Sequence, residues 1–303
     1  MPSTEKPLVK NILDKKDWGF IDFKIDELWK ISRGKDTKVA VLDSGLNYNM
    51  DDFKNNKNIS YYNAFMDSEN KTDCLDDSYG HGTDCAGILC AQGKVISGVA
   101  PDINLLSVKI TNETGERTSK AILKGLEKAI ALNSDVISLS FSIAKLDENF
   151  NGIHDKIKEA YQKDIVVLAA AGDSGALDFP VDNYPASFPE CLSIGGIDRT
   201  RKRSKYSTKS NFLDLMGPGE DLMSVLSPDI KINGTSFSTP FVAGVIALLK
   251  SFAKSKNLSL TNIEIYDILK RTADIKVADT YNLVDYGWGI MDPVAAFNLL
   301  STK

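Results

Sequence analysis

The sequence predicts an α/β domain in which a mostly parallel central sheet carries helices on both faces, giving three layers. Short apolar segments of strand length alternate with longer segments whose apolar residues recur at helical spacing. That alternation is typical of parallel sheets covered on both faces. The chain has 303 residues, which is enough for one such domain with a substantial core.

The elements follow one another in a regular order after an N-terminal stretch. Residues 1–16 are polar and rich in lysine, and we expect them to form an extension that precedes a single domain over residues 17–303. Within that domain, residues 18–29 should pack on the surface as an arm. Strands are predicted at 38–42, 104–110, 136–139, 165–171, 192–195 and 212–216. Helices are predicted at 81–91, 119–132, 153–162, 236–253, 261–272 and 293–299, and surface loops at 47–79.

Composition excludes several classes of function. The formal net charge of −5 gives no reason to expect nucleic acid as a partner. No continuous apolar run of about 18 residues occurs, so no membrane span is predicted. The N-terminus lacks the apolar core of a signal peptide, which favours the cytoplasm, with secretion as the alternative if a leader has been removed. Two histidines, His81 and His154, are too few for a histidine-rich metal site.

The four cysteines are expected to be reduced. Cys85 and Cys90 lie five residues apart on one predicted helix, so they face different ways and cannot readily pair.

Three residues at predicted element ends could form a nucleophilic site. Asp43 follows the strand at 38–42, His81 opens the helix at 81–91, and Ser236 opens the helix at 236–253. A serine hydroxyl needs a base that takes its proton and a third group that orients the base, and the order Asp, His, Ser is one known order of such a triad. Taken singly, the three could be a turn cap, a surface residue at a helix end and a helix N-cap.

The position of Ser236 suits a nucleophile. Pro240 is tolerated only in the first turn of a helix, which puts Ser236 at or just before the helix N-terminus. Unpaired peptide N–H groups and the positive end of the helix dipole would there stabilise a developing oxyanion.

The segments around these residues make the assignment specific. Residues 41–45 (VLDSG), 81–87 (HGTDCAG) and 234–240 (GTSFSTP) resemble the three signature segments of the subtilisin family of serine proteases. Further matches follow in order at 98–101 (GVAP), 135–139 (DVISL), 169–172 (AAAG), 184–186 (YPA) and 217–219 (GPG). The resemblance extends from about residue 18 to about residue 300 and implies the three-layer subtilisin-like fold.

The resemblance also implies a role for each matching residue. Ser236 would be the nucleophile, with its peptide N–H as one oxyanion donor; His81 would be the general base and then acid, and Asp43 would orient the imidazole. An extended peptide would be bound through its backbone, and pockets would select among its side chains. The substrate-binding residues would be Ser140, Phe141 and Ser142 on one side and Ala170, Ala171 and Gly172 on the other. The Tyr184–Pro185 bond would be cis.

Some residues depart from the family's pattern. Asp173 stands where the family has the asparagine that donates a hydrogen bond to the oxyanion. An ionised Asp173 would repel the oxyanion, whereas a buried, protonated one could donate, and activity would then be confined to a narrow range shifted to lower pH. Ser142 replaces a glycine, and Asn183 stands at the expected pocket floor. We therefore expect a narrow first pocket with a polar floor that accepts large aromatic side chains poorly.

Two further matches concern a thiol and a metal. Cys85 matches the thiol that a proteinase K-like branch carries beneath its catalytic histidine, and it could be a small buried apolar residue or contribute to activity. Asp52 matches a ligand of the family's tight calcium site, but the companion loop at 91–97 is about two residues short and carries Lys94. Calcium needs about six or more oxygen ligands, so this site is expected to be lost and no cofactor is predicted.

The sequence therefore predicts a serine endopeptidase that cuts peptide or protein substrates through an acyl-enzyme on Ser236. The alternative is a weakly active or inactive pseudoprotease that binds peptides, because Asp173 could impair the oxyanion site. A purely structural role fits less well with an intact set of Asp43, His81 and Ser236.

Neither nucleic acid nor a membrane is expected as a partner, and the oligomeric state stays open. Residues 1–16 could be a disordered tail or, through residues 6–8, a segment lying across the cleft.

Overall fold

The computed structural model describes residues 15–76, 80–112, 114–276 and 281–302. Residues 1–14, which make up most of the predicted extension and include the segment at 6–8, lie outside the described residues, so the role of that extension stays a prediction. The predicted arm is present as two short helices, α1 (Trp18–Asp22) and α2 (Ile25–Leu28). Asp17 caps α1 by accepting a hydrogen bond from the Gly19 N–H.

The remaining elements alternate as predicted. The strands are β1 (Lys38–Asp43), β2 (Ile59–Asn63), β3 (Asn104–Lys109), β4 (Val136–Leu139), β5 (Val166–Ala170), β6 (Cys191–Ile197), β7 (Leu215–Pro218), β8 (Leu222–Met223) and β9 (Lys231–Ile232). The helices are α3 (His81–Cys90), α4 (Ser119–Ala131), α5 (Phe150–Gln162), α6 (Thr235–Ser255), α7 (Asn262–Thr272), α8 (Leu283–Tyr286) and α9 (Pro293–Leu300). A 3-10 turn spans Lys71–Cys74.

A seven-stranded parallel sheet forms the centre of the domain, in the order β2-β3-β1-β4-β5-β6-β7. The predicted parallel sheet is thereby confirmed. β2 is an addition, because residues 59–63 lie in a stretch that was expected to be surface loop. It is an edge strand with two buried residues, Tyr62 and Asn63, and it pairs with β3. Its isoleucine and two tyrosines favour a strand, but the Asn-, Asp- and Lys-rich residues around it masked that signal.

Successive residues of each strand face opposite layers of helices. In β1, Val39 and Val41 contribute to the core that includes α3 and α6, while Ala40 and Leu42 contribute to the core that includes α4 and α5. Because both faces of the sheet are covered by apolar helix surfaces, the three-layer α/β fold is confirmed.

Helix α6 passes through the first of these cores. Among the described residues, it is the one helix with the length and apolarity of a membrane span, and 89% of that stretch is buried inside the domain. It is therefore the core helix of the fold. The four cysteines, which are Cys74, Cys85, Cys90 and Cys191, are buried and free, as expected.

Asp214, which immediately precedes β7, is a half-buried carboxyl group away from the groove described below. Burial raises its pKa to about 7, against a hydrogen bond from the Ser193 N–H and the charge of Lys270, which both lower it. A carboxyl group whose pKa is raised in the folded state contributes stability at low pH and loses it as pH rises through the folded pKa. Asp214 therefore lowers the stability of the folded domain progressively as pH rises from 3.8 to about 7, and the full loss is present above pH 7.

We expect Asp214→Asn to raise the melting temperature at pH 8 by several degrees and to have little effect at pH 4. The asparagine oxygen can still accept the hydrogen bond from the Ser193 N–H, 2.9 Å from the carboxylate, without a charge. Thermal unfolding of both proteins across pH 4–8 measures the difference. The exposed Asp182 serves as a control, since Asp182→Asn should change the melting temperature by the same amount at every pH. A pH-independent change of the melting temperature in Asp214→Asn would contradict the prediction.

Candidate active site

A groove of about 780 Å³ runs along the edge of the sheet where the parallel strands end. Segments that follow β1, β3, β4 and β5 line it, together with the first residues of α3 and α6. The lining residues are Asp43, Ser44, His81, Thr111, Thr114, Gly115, Arg117, Ser140, Phe141, Ser142, Ala170, Gly172, Asp173, Ser174, Asn233, Thr235, Ser236 and Phe237. The groove therefore brings together residues that are far apart in sequence.

His81 and Asp43 form a hydrogen-bonded pair in this groove. The Nδ1 atom of His81 lies 2.8 Å from Oδ1 of Asp43. Asp43 is the last residue of β1, and its carboxylate also accepts from the Ser44 N–H. The start of α3 is held in place because the Thr83 N–H donates to the Asp76 carboxylate at 2.9 Å. A capped helix end and a strand end thus fix the two partners.

The charges of this pair shift both pKa values. Burial disfavours the imidazolium form of His81, but the Asp43 carboxylate outweighs burial and raises the pKa of His81 well above its ordinary value. Burial likewise disfavours the ionised form of Asp43, and the charge of His81 and its hydrogen bond outweigh it and lower the pKa of Asp43. The pair is therefore suited to holding a proton on the imidazole.

Ser236 is the second residue of α6, so its peptide N–H has no acceptor within the helix. Its Oγ lies 3.4 Å from the carbonyl oxygen of Ser140. Pro240 lies inside the helix rather than in its first turn, contrary to the expectation. Because Pro240 has no N–H, the Ser236 carbonyl lacks its usual helical donor. The Ser140 hydroxyl donates to that carbonyl instead, at 2.7 Å.

Cys85 lies beneath this arrangement. Its Sγ is 3.9 Å from Nδ1 of His81 and donates to the carbonyl oxygen of Ser236 at 3.5 Å. Burial raises the pKa of the Cys85 thiol to about 11, so it stays a thiol at neutral pH. The described residues include one group that could hold a metal ion, Asp43, His81 and Cys85, but its carboxylate and imidazole already bind each other.

Asp173 follows β5 and lines the groove, as predicted, but the expectation that it is buried is wrong. Its side chain is exposed. Its Oδ1 accepts from the N–H of Thr235 at 2.7 Å and from the Thr235 hydroxyl at 3.1 Å. The carboxylate thus caps the N-terminus of α6, one residue before Ser236, where the helix dipole favours negative charge.

The predicted substrate-binding residues divide into two groups. Ser140, Phe141, Ser142, Ala170 and Gly172 line the groove, with Ser142 exposed and the Phe141 ring buried.

Ala171 and Asn183 lie behind that lining. The amide of Asn183 donates to the Ala171 carbonyl at 2.7 Å, so its polar group is turned to the backbone rather than presented as an open pocket floor. Gly172 has a φ of +105°, and a Cβ there would come within 2.3 Å of Nδ2 of Asn183, which requires glycine. The Tyr184–Pro185 bond is cis, as predicted.

Asp52 accepts hydrogen bonds from peptide groups where the family would place calcium. Its carboxylate is buried and accepts from the N–H groups of Lys94, Val95 and Ile96 at 2.7, 2.8 and 3.3 Å. Donors that point at both carboxylate oxygens occupy the positions a cation would need. These residues therefore do not fit a tight calcium site that uses Asp52.

We expect the stability of this loop to depend on Asp52 and not on calcium. A chelator should leave the melting temperature unchanged, because only a ligand bound by the folded state stabilises it by mass action. Asp52→Ala should lower the melting temperature by several degrees in the presence or absence of calcium, since three N–H groups of this loop lose their acceptor. A marked drop in melting on adding the chelator would show that calcium is bound.

Thr235 and Arg117 are two of the groove residues that were not predicted from the sequence. The Thr235 hydroxyl accepts from the Gly172 N–H at 3.1 Å and donates to Asp173, which ties the end of β5 to the start of α6. Its place beside the nucleophile candidate could have indicated this. Arg117 lies on the connection between β3 and α4, and no motif marks it.

Comparisons with known proteins show which sequences this chain resembles. A family model described as the subtilase family matches residues 34–289. The chain is 36% identical over 254 residues to an intracellular serine protease of Paenibacillus polymyxa, covering 81% of this chain and 76% of that protein. It is 33% identical over 267 residues to the major intracellular serine protease of Bacillus subtilis, covering 85% and 82%. Subtilisin E of Bacillus subtilis is 34% identical over 270 residues, covering 87% and 66%.

Proposed function

Because the chain belongs to the subtilase family and is a subtilisin-like serine protease, we propose that Asp43, His81 and Ser236 form its catalytic triad. The observation that carries the proposal is the 2.8 Å pair between His81 and Asp43 in the same groove as the Ser236 hydroxyl. Peptide or protein substrates would be cut through an acyl-enzyme on Ser236.

The geometry supports the following steps. The Nδ1–H of neutral His81 donates to Asp43, so Nε2 is the nitrogen that takes the Ser236 proton as Oγ attacks the scissile carbonyl. The imidazolium is stabilised by the Asp43 carboxylate and returns its proton to the leaving amine. Water then attacks the acyl-enzyme with His81 again as base, which releases the acid product and restores Ser236.

The tetrahedral oxyanion would be stabilised mainly by backbone. The Ser236 N–H at the start of α6 is one donor, and the helix dipole adds to it. Asp173 lines the groove with a carboxylate in place of a donor. This arrangement favours a protease slower than its relatives, and it is also the observation that favours the alternative, a weakly active or inactive pseudoprotease that binds peptides.

The choice of substrate and the cellular location are proposed from separate observations, the groove wall and the named relatives. The exposed Ser142 lies at the groove wall, and we propose that its side chain narrows the first pocket, which would favour small or polar side chains. Relatives named intracellular serine proteases support a cytoplasmic location, which we propose for this chain.

Labelling by a serine-directed fluorophosphonate tests the proposal. We expect stoichiometric labelling at Ser236, mapped by mass spectrometry of the digested protein, and no labelling after heat denaturation. Labelling together with peptide cleavage supports the protease, and labelling without cleavage supports the peptide-binding alternative. An unlabelled, folded protein would refute the nucleophile assignment.

A further inference from the structure

Arg117 is an exposed cation at the end of the groove nearest β3. An antiparallel bridge between Arg117 and Thr111 holds its backbone. Its guanidinium carbon lies 5.5 Å from the centre of the buried Phe141 ring, which belongs to the predicted substrate segment. This cation–π contact restrains the guanidinium beside the place where a peptide would lie.

The charge of Arg117 has no carboxylate partner within ion-pair distance among the described residues. The neighbouring Glu116 carboxylate accepts from the Asn112 amide at 3.0 Å. Of the acidic residues that line the groove, Asp43 is bonded to His81 and Asp173 to Thr235. The guanidinium therefore has no described carboxylate within ion-pair distance. Against burial, its charge adds to the charge and hydrogen bond of His81 and to the Ser44 N–H in lowering the pKa of the buried Asp43.

On the basis of the proposed protease function, we propose that Arg117 is a specificity-determining residue that selects an aspartate or glutamate side chain at one position of the substrate. A guanidinium presents a planar set of N–H donors that matches a carboxylate in a bidentate arrangement. The alternative, a solvated surface cation that touches no substrate, predicts no such preference.

The preference should be modest, because Arg117 is exposed. An exposed ion pair is worth about 1 kcal/mol at most, which corresponds to roughly a fivefold difference in kcat/KM. It should weaken at high salt, since the Debye length falls from about 8 Å at physiological ionic strength to about 3 Å at 1 M.

The test is cleavage profiling of a peptide library by the full chain and by Arg117 variants. The parent should favour Asp or Glu at one position, Arg117→Lys should keep part of that preference, and Arg117→Gln should lose it. Arg117→Glu should favour Lys or Arg at the same position. Lys120→Glu, an equal charge change at an exposed residue of α4, should leave the profile as in the parent.

The two proposals fail in different ways. Each variant is first labelled with the fluorophosphonate, so that a labelled, cleaving enzyme establishes the proposed function independently. If such an enzyme shows the same profile in the parent and in Arg117→Glu, Arg117 does not contact substrate and the inference is wrong. A profile that changes equally in Lys120→Glu would also overturn it, since the effect would then be one of net charge.

Discussion

Replacing Ser236 or His81 by alanine is expected to reduce kcat by about a millionfold, to the same residual level in each case. The hydroxyl has no other base to take its proton, and the base has no other nucleophile to activate, so the two act as one unit. The double variant should be no slower than either single one. Steady-state kinetics on a fluorogenic peptide, with fluorophosphonate labelling as a second readout, would measure this.

His154→Ala is the matched control for the histidine. His154 is paired with Glu190 at 2.9 Å and stacked on the Phe188 ring, and it does not line the groove. This variant should retain turnover within a few-fold. Normal proteolysis by Ser236→Ala, or additive losses in the double variant, would mean that the triad is assigned wrongly.

The pH dependence follows from the His81–Asp43 pair. The base works only when neutral, and the Asp43 charge raises the pKa of His81 well above its ordinary 6.5, against burial, which lowers it. Activity should therefore rise as pH increases through a midpoint above pH 6.5, which replaces the expected shift to lower pH. An acid limb of kcat/KM centred below pH 6 would contradict this.

The second large effect is expected at Asp173, where Asp173→Asn should raise kcat at neutral pH by about a hundredfold, the size of effect attributed to one oxyanion donor. Because Oδ1 already accepts from the Thr235 N–H, an asparagine can keep that hydrogen bond with its oxygen. Its NH₂ group then replaces Oδ2, so a donor stands where a negative charge stood. The capping interaction, and with it the start of α6, is preserved.

Two further variants separate the gain of a donor from the loss of a charge. Asp173→Ala removes the charge and the cap, so it should raise kcat less than Asp173→Asn and lower the melting temperature, a helix cap being worth about 1 kcal/mol. Asp229→Asn makes the same net-charge change in the exposed turn between β8 and β9 and should leave kcat unchanged. Turnover by Asp173→Asn that is no faster than the parent across pH 5–9 would refute this account of Asp173.

The sequence by itself determined the fold class and the triad candidates, because both depend on short, contiguous patterns. The apolar segment before Asp43 and the turn after it define a strand end, and the segment around Ser236 defines a helix start. Once a sheet is parallel, strand ends such as Asp43 meet at one edge. The grouping of Asp43 with His81 and Ser236 came from their order along the chain and from the resemblance of their segments to the subtilisin family. The edge strand β2 was missed because it is short and lies within a stretch rich in Asn, Asp and Lys, which is typical of loops.

Only the tertiary structure decided what the departures from the family's pattern do. Whether the Asp173 side chain is buried depends on long-range packing around it. Whether Asp52 faces a cation or three peptide N–H groups depends on a loop about forty residues away. The Ser140 hydroxyl reaches the Ser236 carbonyl across 96 positions of sequence, and Arg117 reaches the Phe141 ring from another connection. Local patterns determine where a strand or helix ends, whereas hydrogen-bond partners and net charge in a groove depend on side chains that only long-range packing brings within a few ångströms.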